Sequence, residues 1–501
     1  MLAARRAALA LRLERLAQAD KHSALRILRD TMTDFDKNLS RVLTRVMPDF
    51  ITLERSARLS GGASQETYRL DITTRDGPRR LALRRAPGGA ADTRDYGGPG
   101  LAIEARLITL ARDAGVPAPE ILHVLDDGDE LGDGFIMEWL SGEALGARIV
   151  KAEEFAAVRQ TLAYQCGEIL ARIHAIDVDA HGLSEHLERL TPQAFVTRQW
   201  DYYRKLGTPQ PMIDFTARWL LEHLPPACPL TLVHNDFRNG NLMISPSAGV
   251  VGVLDWEVAH IGDPMRDLGW ICTNSWRFGR TDLAVGGFGR REDLFAGYRA
   301  VSGRSVDAEH VRFWEIFGSF WWAVGSLIMA EHYRHGPDRT VERPAIGRRS
   351  SECQVDCVNL MMPGVVNLPA ATPPGGDELP RDDELLISVR DFLREDVMGA
   401  TTGRTQFMAR VAANSLDILL RDQQLGPALR AAEHTRLSAI MGHAGTREAL
   451  RWELVEALRD GSMALDTPGL VDHLRATVIG ELAIDQPSYS GFKTALQGGV
   501  A

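Results

Sequence analysis

Residues 232–243 read LVHNDFRNGNLM and residues 251–257 read VGVLDWE. Apolar pairs, Leu232-Val233 and Leu242-Met243, bracket a polar loop that carries His234, Asp236 and Asn241. The apolar run 251–254 then delivers a second carboxylate, Asp255. A carboxylate on a loop, an amide five positions on and another carboxylate after a short hairpin can converge on one point. Asp236 is placed to accept a proton from an attacking hydroxyl, while Asn241 and Asp255 offer the hard oxygen ligands that suit Mg2+. Phosphoryl transfer needs mainly positioning and charge neutralisation, and this set supplies both. Asn, Asp and Gly also gather in ordinary turns. Their ordered spacing between apolar flanks sets this loop apart.

Around that segment the chain has 501 residues, 45% hydrophobic and 25% charged, the composition of a folded protein with more than one core. Fifty-seven Lys and Arg against 67 Asp and Glu leave a net charge of −10, which argues against a nucleic-acid binder. Five scattered Cys fit a reducing compartment rather than a disulfide framework. Cys353 and Cys357 lie four apart but lack the further ligands that zinc requires. The N-terminal MLAARRAALALRLERLAQAD has too short an uncharged run for a signal peptide and reads as an amphipathic surface helix. The apolar stretch 316–330 is too short to span a bilayer comfortably. Trp321, Trp322, Leu327 and Ile328 mark it as a helix buried on most sides. The expectation is a cytoplasmic chain with no membrane and no nucleic-acid partner.

Short alternating runs broken by Gly predict two or three antiparallel strands over 55–85, then a helix over 101–114 that stops at Val116-Pro117. EILHVLD and GFIMEWL predict two more strands. Beyond residue 150 the pattern is helical, apart from short strands over 230–254, until about Met362. PGVVNLPAATPPGGDELPRDD, from Pro363, has five prolines and no periodicity, and reads as a linker. Four helical patterns follow, separated by Gly- or Pro-containing breaks, which predicts an antiparallel bundle. The expected division is 1–50 helical extension, 51–140 strand-rich lobe, 141–362 helical lobe, 363–382 linker and 383–501 bundle.

H-x-D-x-x-x-x-N at 234–241, Asp255 after a hairpin, and GDPMRDLGW at 262–270 resemble the aminoglycoside and choline phosphotransferase family. The resemblance runs from about Leu59 to Leu360. It implies an α+β, bilobal protein-kinase-like fold: a small antiparallel-sheet N-lobe and a larger helical C-lobe, here followed by a separate all-α bundle. It also implies ATP and Mg2+ as cofactors, Asp236 as the catalytic Asp, and Asn241 and Asp255 as metal ligands. His234 braces the catalytic loop, and Asp267 supports that loop through hydrogen bonds. Ser60, Gly61, Gly62 and Ser64, in SGGAS between two strand patterns, fall where backbone N–H groups approach phosphates. Arg84 stands where kinases generally carry Lys; Arg retains the charge with a different, forked geometry. Arg85 is the alternative, although alternation puts it on the opposite strand face. Glu104 lies where the family's paired Glu is expected, and Glu138 and Leu140 belong to the hinge that receives adenine. His174, His181 and His310 are read as core or surface residues.

Eleven residues separate Asp255 from Asp267, too few for a segment on which a peptide substrate is laid. The acceptor is therefore expected to be a small molecule with a hydroxyl. Arg277, Arg280, Arg290, Arg291, Arg299 and Arg304 outnumber the acids of 275–304; if they border the acceptor cleft, they favour an anionic substrate. A solvated helical face is the other reading of that run. SGGASQET and LRR resemble kinase domains that accompany acyl-CoA dehydrogenases, some of which act on hydroxyacyl-CoA thioesters. An aminoglycoside-type kinase and a catalytically silent nucleotide- or acyl-CoA-binding protein are the alternatives. The bundle is a candidate surface for homo-oligomerisation.

Overall fold

The computed structural model describes residues 33–59, 65–89, 98–336, 338–372 and 379–498. Its contacts divide into two compact units. One holds the described residues up to Arg112 with Pro119–Leu140; the other holds Asp113–Ala118 and the described residues from Ser141 onward. The expected N-terminal amphipathic helix and Ser60–Ser64 lie outside the described residues.

The first unit opens with α1 (Asp34–Val46), whose Thr33 cap accepts the Asp36 N–H through Oγ1 at 3.2 Å. Strands β1 (Phe50–Arg58), β2 (Glu66–Thr74) and β3 (Gly77–Arg85) follow, then α2 (Leu101–Asp113), β4 (Ile121–Val124) and β5 (Gly134–Glu138). The sheet is antiparallel throughout, in the order β1-β2-β3-β5-β4. Leu70 and Ile72 on β2 and Leu81 and Leu83 on β3 recur every second residue, so they share one face. With Leu39, Val42 and Leu43 of α1 they form the core of this unit. The same alternation sends Arg85 to the α1 face and Arg84 to the other. Gly134 permits the β3–β5 pairing, because a Cβ there would stand 2.5 Å from the Arg84 carbonyl.

The second unit begins with α3 (Gly146–Lys151), α4 (Ala156–His174), α5 (Pro192–Lys205) and α6 (Pro211–Glu222). Two small antiparallel ribbons come next: β6 (Thr231–Val233) pairs with β9 (His260–Gly262), and β7 (Leu242–Ser245) with β8 (Gly249–Val253). Then follow α7 (Met265–Cys272), α8 (Arg291–Ser302), α9 (Ala308–Arg334), α10 (Glu342–Arg348) and α11 (Ser350–Met361). After the linker come α12 (Asp382–Phe392), α13 (Gly403–Met441), α14 (Arg447–Asp460), α15 (Leu470–Asp485) and α16 (Ser490–Leu496).

Two details depart from the sequence pattern. Helix α9 is 27 residues long and extends beyond the apolar stretch 316–330 at both ends, taking in Glu315. It is long and apolar enough to cross a membrane by composition, yet Phe313, Trp314, Phe317, Phe320 and Val324 are buried in the core. Glu315 is tolerated inside because Arg277 and Arg291 neutralise it, at 2.5 and 2.6 Å. Helix α13 runs 39 residues straight through Pro427, where a break between helices was expected.

The helices beyond the linker share one apolar core with the helices before it. Leu220, Phe317, Val355 and Val358 belong to the same cluster as Leu437, Leu454, Leu474 and Ile479. Polar ties reinforce the junction: Arg459 donates to the buried Asp214 at 2.9 Å, and Tyr489 and Asn274 both donate to Asp356, at 2.6 and 2.8 Å. The Pro-rich segment is itself pinned, with Arg475 donating to the Pro363 carbonyl at 3.3 Å and the Thr372 N–H to the Gln424 carbonyl at 2.8 Å. Cys353 and Cys357 are free thiols buried in this core. A chain ended after Pro369 is therefore expected to aggregate or to melt without cooperativity, because α6, α9 and α11 lose their apolar cover. Soluble yield and a far-UV thermal melt check this, and a soluble truncation that melts like the full chain contradicts it.

Candidate active site

Strand ends create the site. The loop 234–241 links β6 to β7, Asp255 follows β8, and Asp263 follows β9. Asn235 and Asp255 adopt left-handed backbone, with φ of 66° and 68°, a conformation that Asn and Asp accept more readily than most side chains.

Asp267, in the first turn of α7 and fully buried, holds the loop. Its Oδ2 accepts the His234 N–H at 2.8 Å and its Oδ1 the Asn235 N–H at 2.7 Å. His174 Nε2 lies 3.1 Å from Oδ2, and its Nδ1 is bonded to the Tyr298 hydroxyl at 3.0 Å. Burial by itself would push this carboxyl up, but the His174 bond, the two histidines and the backbone N–H hold it below the usual carboxylate range. His174 therefore supports the site, a role its helical context gave no reason to assign. His310, also read as structural, bonds Asp263 at 2.6 Å.

His234 is fully buried, and burial pushes its imidazole down against the pull of Asp267, Asp236 and Asp255. The neutral ring accepts the Asp236 N–H on Nδ1 at 3.2 Å and donates from Nε2 to the Leu254 carbonyl at 3.1 Å. It thus ties the Asp236 loop to the residue before Asp255. A second tie runs beside it, the Leu254 N–H donating to the Asn241 carbonyl at 2.8 Å.

Three donors fix the Asp236 carboxylate. Arg238 Nε and Trp270 Nε1 reach Oδ1 at 2.9 and 2.8 Å, and Asn241 Nδ2 reaches Oδ2 at 2.6 Å. Asn241 Nδ2 also donates to the Asp236 carbonyl at 3.0 Å, which leaves the amide oxygen as the acceptor of that side chain. The amide oxygen of Asn241 and the carboxylate of Asp255, on segments joined by the Leu254–Asn241 backbone bond, are hard donors of the kind that suits a small divalent cation. Arg238 lies over the Trp276 ring at 4.2 Å, and Trp270 meets Trp276 and Trp321 edge-on. Sequence reasoning gave Arg238 and Trp270 no role. Trp270 carried a usable signal, since it sits three positions after Asp267 and so shares its helix face.

In the first unit, Arg84 Nε lies 3.1 and 3.2 Å from the two oxygens of Glu104, which is buried. Arg85 bonds Glu66 instead, at 3.0 Å, and stacks over Phe35 at 4.7 Å. That separates the two candidate cations as strand alternation predicts. Glu138 ends β5, with its N–H already donated to the Glu120 carbonyl at 2.8 Å and its carboxylate receiving the Glu120 N–H at 3.2 Å. Leu140 is half-buried. Ser60, Gly61, Gly62 and Ser64 lie outside the described residues.

The arginine excess of 275–304 shrinks in the folded chain. Arg277 and Arg291 serve Glu315, and Arg280 pairs with Asp282 at 2.9 Å.

Residues 56–303 match the phosphotransferase enzyme family. This part of the chain is a domain of that family. Residues 399–489 match a domain of unknown function. The chain is 31% identical over 215 residues to acyl-CoA dehydrogenase family member 10 of Mus musculus, covering 42% of this chain and 19% of that one. It is 25% identical over 340 residues to the probable acyl-CoA dehydrogenase IBR3 of Arabidopsis thaliana, covering 62% and 38%. It thus spans well under half the length of these relatives. A solved structure of a putative aminoglycoside phosphotransferase from Ralstonia eutropha matches with a TM-score of 0.52 and 23% identity, over 65% of this chain and 97% of that one. That likeness establishes the kinase-like fold.

Asp267→Asn is expected to cost about 3 kcal/mol at pH 7, because an amide has one oxygen to offer where three donors now converge. The carboxyl sits below its unfolded value, so its contribution is complete above a pH of about 4 and is lost as pH falls through the folded pKa. Denaturant unfolding of both proteins across pH 3–7 should show the deficit shrinking in acid, and a pH-independent deficit would contradict the assignment.

Proposed function

We propose that this phosphotransferase domain moves the γ-phosphoryl group of ATP to a hydroxyl of a small molecule. The observation that carries the reading is the Asp236 carboxylate, fixed by Arg238, Trp270 and Asn241 in a loop that is itself tied to Leu254, the residue before Asp255. In the step proposed, the acceptor oxygen bonds to the γ-phosphorus as the bond to the bridging oxygen breaks. ADP leaves, and the hydroxyl proton passes to Asp236. Asn241 and Asp255 would hold a Mg2+ ion, which when bound neutralises phosphate charge. Arg84, positioned by Glu104, is assigned to the nucleotide phosphates, and its fork suits two oxygens at once.

Asp236→Asn should lower kcat by about 10²–10⁴ with little change in ATP affinity. Trp270→Phe, which deletes one donor to the same oxygen, should lower kcat by about tenfold and leave the KM for ATP unchanged. Steady-state kinetics of both variants separate a proton acceptor and its positioning residue from merely structural groups. Equal loss of ATP binding in either would count against the roles given.

For the acceptor we favour a hydroxyacyl-CoA thioester, a reading supported by the names of the curated relatives. ADP release and product mass, measured with ATP and Mg2+ over hydroxyacyl-CoAs, aminoglycosides, choline-like alcohols and sugars, test it. The expected outcome is phosphorylated hydroxyacyl-CoA as the best product. ATP binding without transfer to any acceptor would favour the silent nucleotide-binding alternative.

A further inference from the structure

Residues of α10, α11, α13, α14 and α15 surround a cavity of about 280 Å³, remote in sequence from the Asp236 loop. Five arginines line it: Arg348, Arg430, Arg436, Arg447 and Arg451. Four carboxylates answer them unevenly. Glu433 accepts from Arg447 at 2.9 Å, Glu481 from Arg451 at 2.5 Å and Asp422 from Arg430 at 2.7 Å. Asp485 stands 3.3 Å from Arg348, but its buried Oδ1 accepts no hydrogen bond. Likewise Arg451 Nε lies 3.1 Å from Glu433 Oε1 without being aligned to donate to it.

Arg436 is the cation left over. Among the described residues no carboxylate lies within ion-pair distance of it; its Nη2 donates to the neutral Thr477 hydroxyl at 3.2 Å, and its buried Nε meets no acceptor. Beside it His473 is fully buried with neither ring nitrogen hydrogen-bonded. Burial, with Arg436 and Arg451, pushes that imidazole down to about 3. Burial also raises the Asp485 carboxyl to about 7, which weakens the negative side further. Surplus positive charge on partly buried side chains is costly unless an anion enters. Guanidinium forks match phosphate and carboxylate oxygens, and the volume suits a small metabolite.

We propose that this cavity is a binding site for a small dianionic oxyanion, the phosphate or dicarboxylate portion of a metabolite, with Arg436 as its principal partner. Its lining comes from α10 and α11 before the linker and from α13, α14 and α15 after it. Occupancy therefore fastens residues 399–489, a region of unknown function, to the helices that follow the phosphotransferase domain.

Calorimetric titration of the full chain with inorganic phosphate and, separately, with succinate tests the site and distinguishes the two kinds of oxyanion. At least one probe is expected to bind, with Kd weakened at least tenfold in R436Q and in R430Q, whose side chain is half-exposed and so spares the fold if R436Q does not. R84Q, in the first unit, should leave that Kd unchanged, which separates this site from binding at the nucleotide phosphates. Failure of both probes to bind the wild type overturns the proposal. So does a Kd that R430Q and a folded R436Q leave unaltered, or one that R84Q abolishes.

Discussion

A single buried carboxylate fixes the geometry on which the candidate site depends. Asp267 accepts consecutive backbone N–H groups, from His234 and Asn235, and so sets the path of the chain immediately before Asp236. Backbone amides of a loop have no ladder to satisfy them, and an acceptor on a packed helix supplies what a strand neighbour would supply in a sheet. Because α7 carries that acceptor, the loop inherits the position of the helix. Gly269 lets α7 lie tightly on α9, since a Cβ there would stand 2.5 Å from the Trp314 Cβ. The site is thus registered to the core rather than to solvent-exposed chain.

Around this anchor the environment is aromatic and basic at once. Arg266, fully buried, donates to the Asn235 side chain at 2.9 Å and lies 4.7 Å from the Trp270 ring centre and 5.0 Å from that of Trp321. Burial pulls its guanidinium down to about 9, so the cation is retained at neutral pH. Ring faces offset part of its lost hydration. Trp270 serves both groups, presenting its face to Arg266 and its N–H to Asp236. A substitution there disturbs the charge balance of the loop as well as its packing.

Much of this was legible before folding was considered. The order His234, Asp236, Asn241, Asp255 and Asp267 is a linear pattern, and apolar flanks of two or three residues identify the strands that carry it. Strand alternation separated Arg84 from Arg85, because successive side chains point to opposite faces. Helical spacing placed Glu104 on α2, but its burial against Arg84 needed the sheet. The roles of His174, Arg238 and Trp270 were not legible. Each acts through a partner two to ninety-three positions away, and only Trp270, three positions after Asp267, carried a local hint of its place. The arginine run of 275–304 left two readings open for the same reason. Its charges looked available until Glu315, placed inside α9, claimed two of them.

By itself the sequence determined most of the elements, the spacing of the loop motif and the family resemblance, because strand and helix periodicity and short-range spacing are local properties of the chain. Tertiary structure alone decided that the helices after the Pro-rich segment close over α6, α9 and α11. Apolar stripes on separate helices state that burial is required without naming the surface that provides it, since the hydrophobic effect is non-directional. It likewise decided which arginines are neutralised and which remain without a carboxylate. Charge pairing depends on distances that only the folded chain fixes.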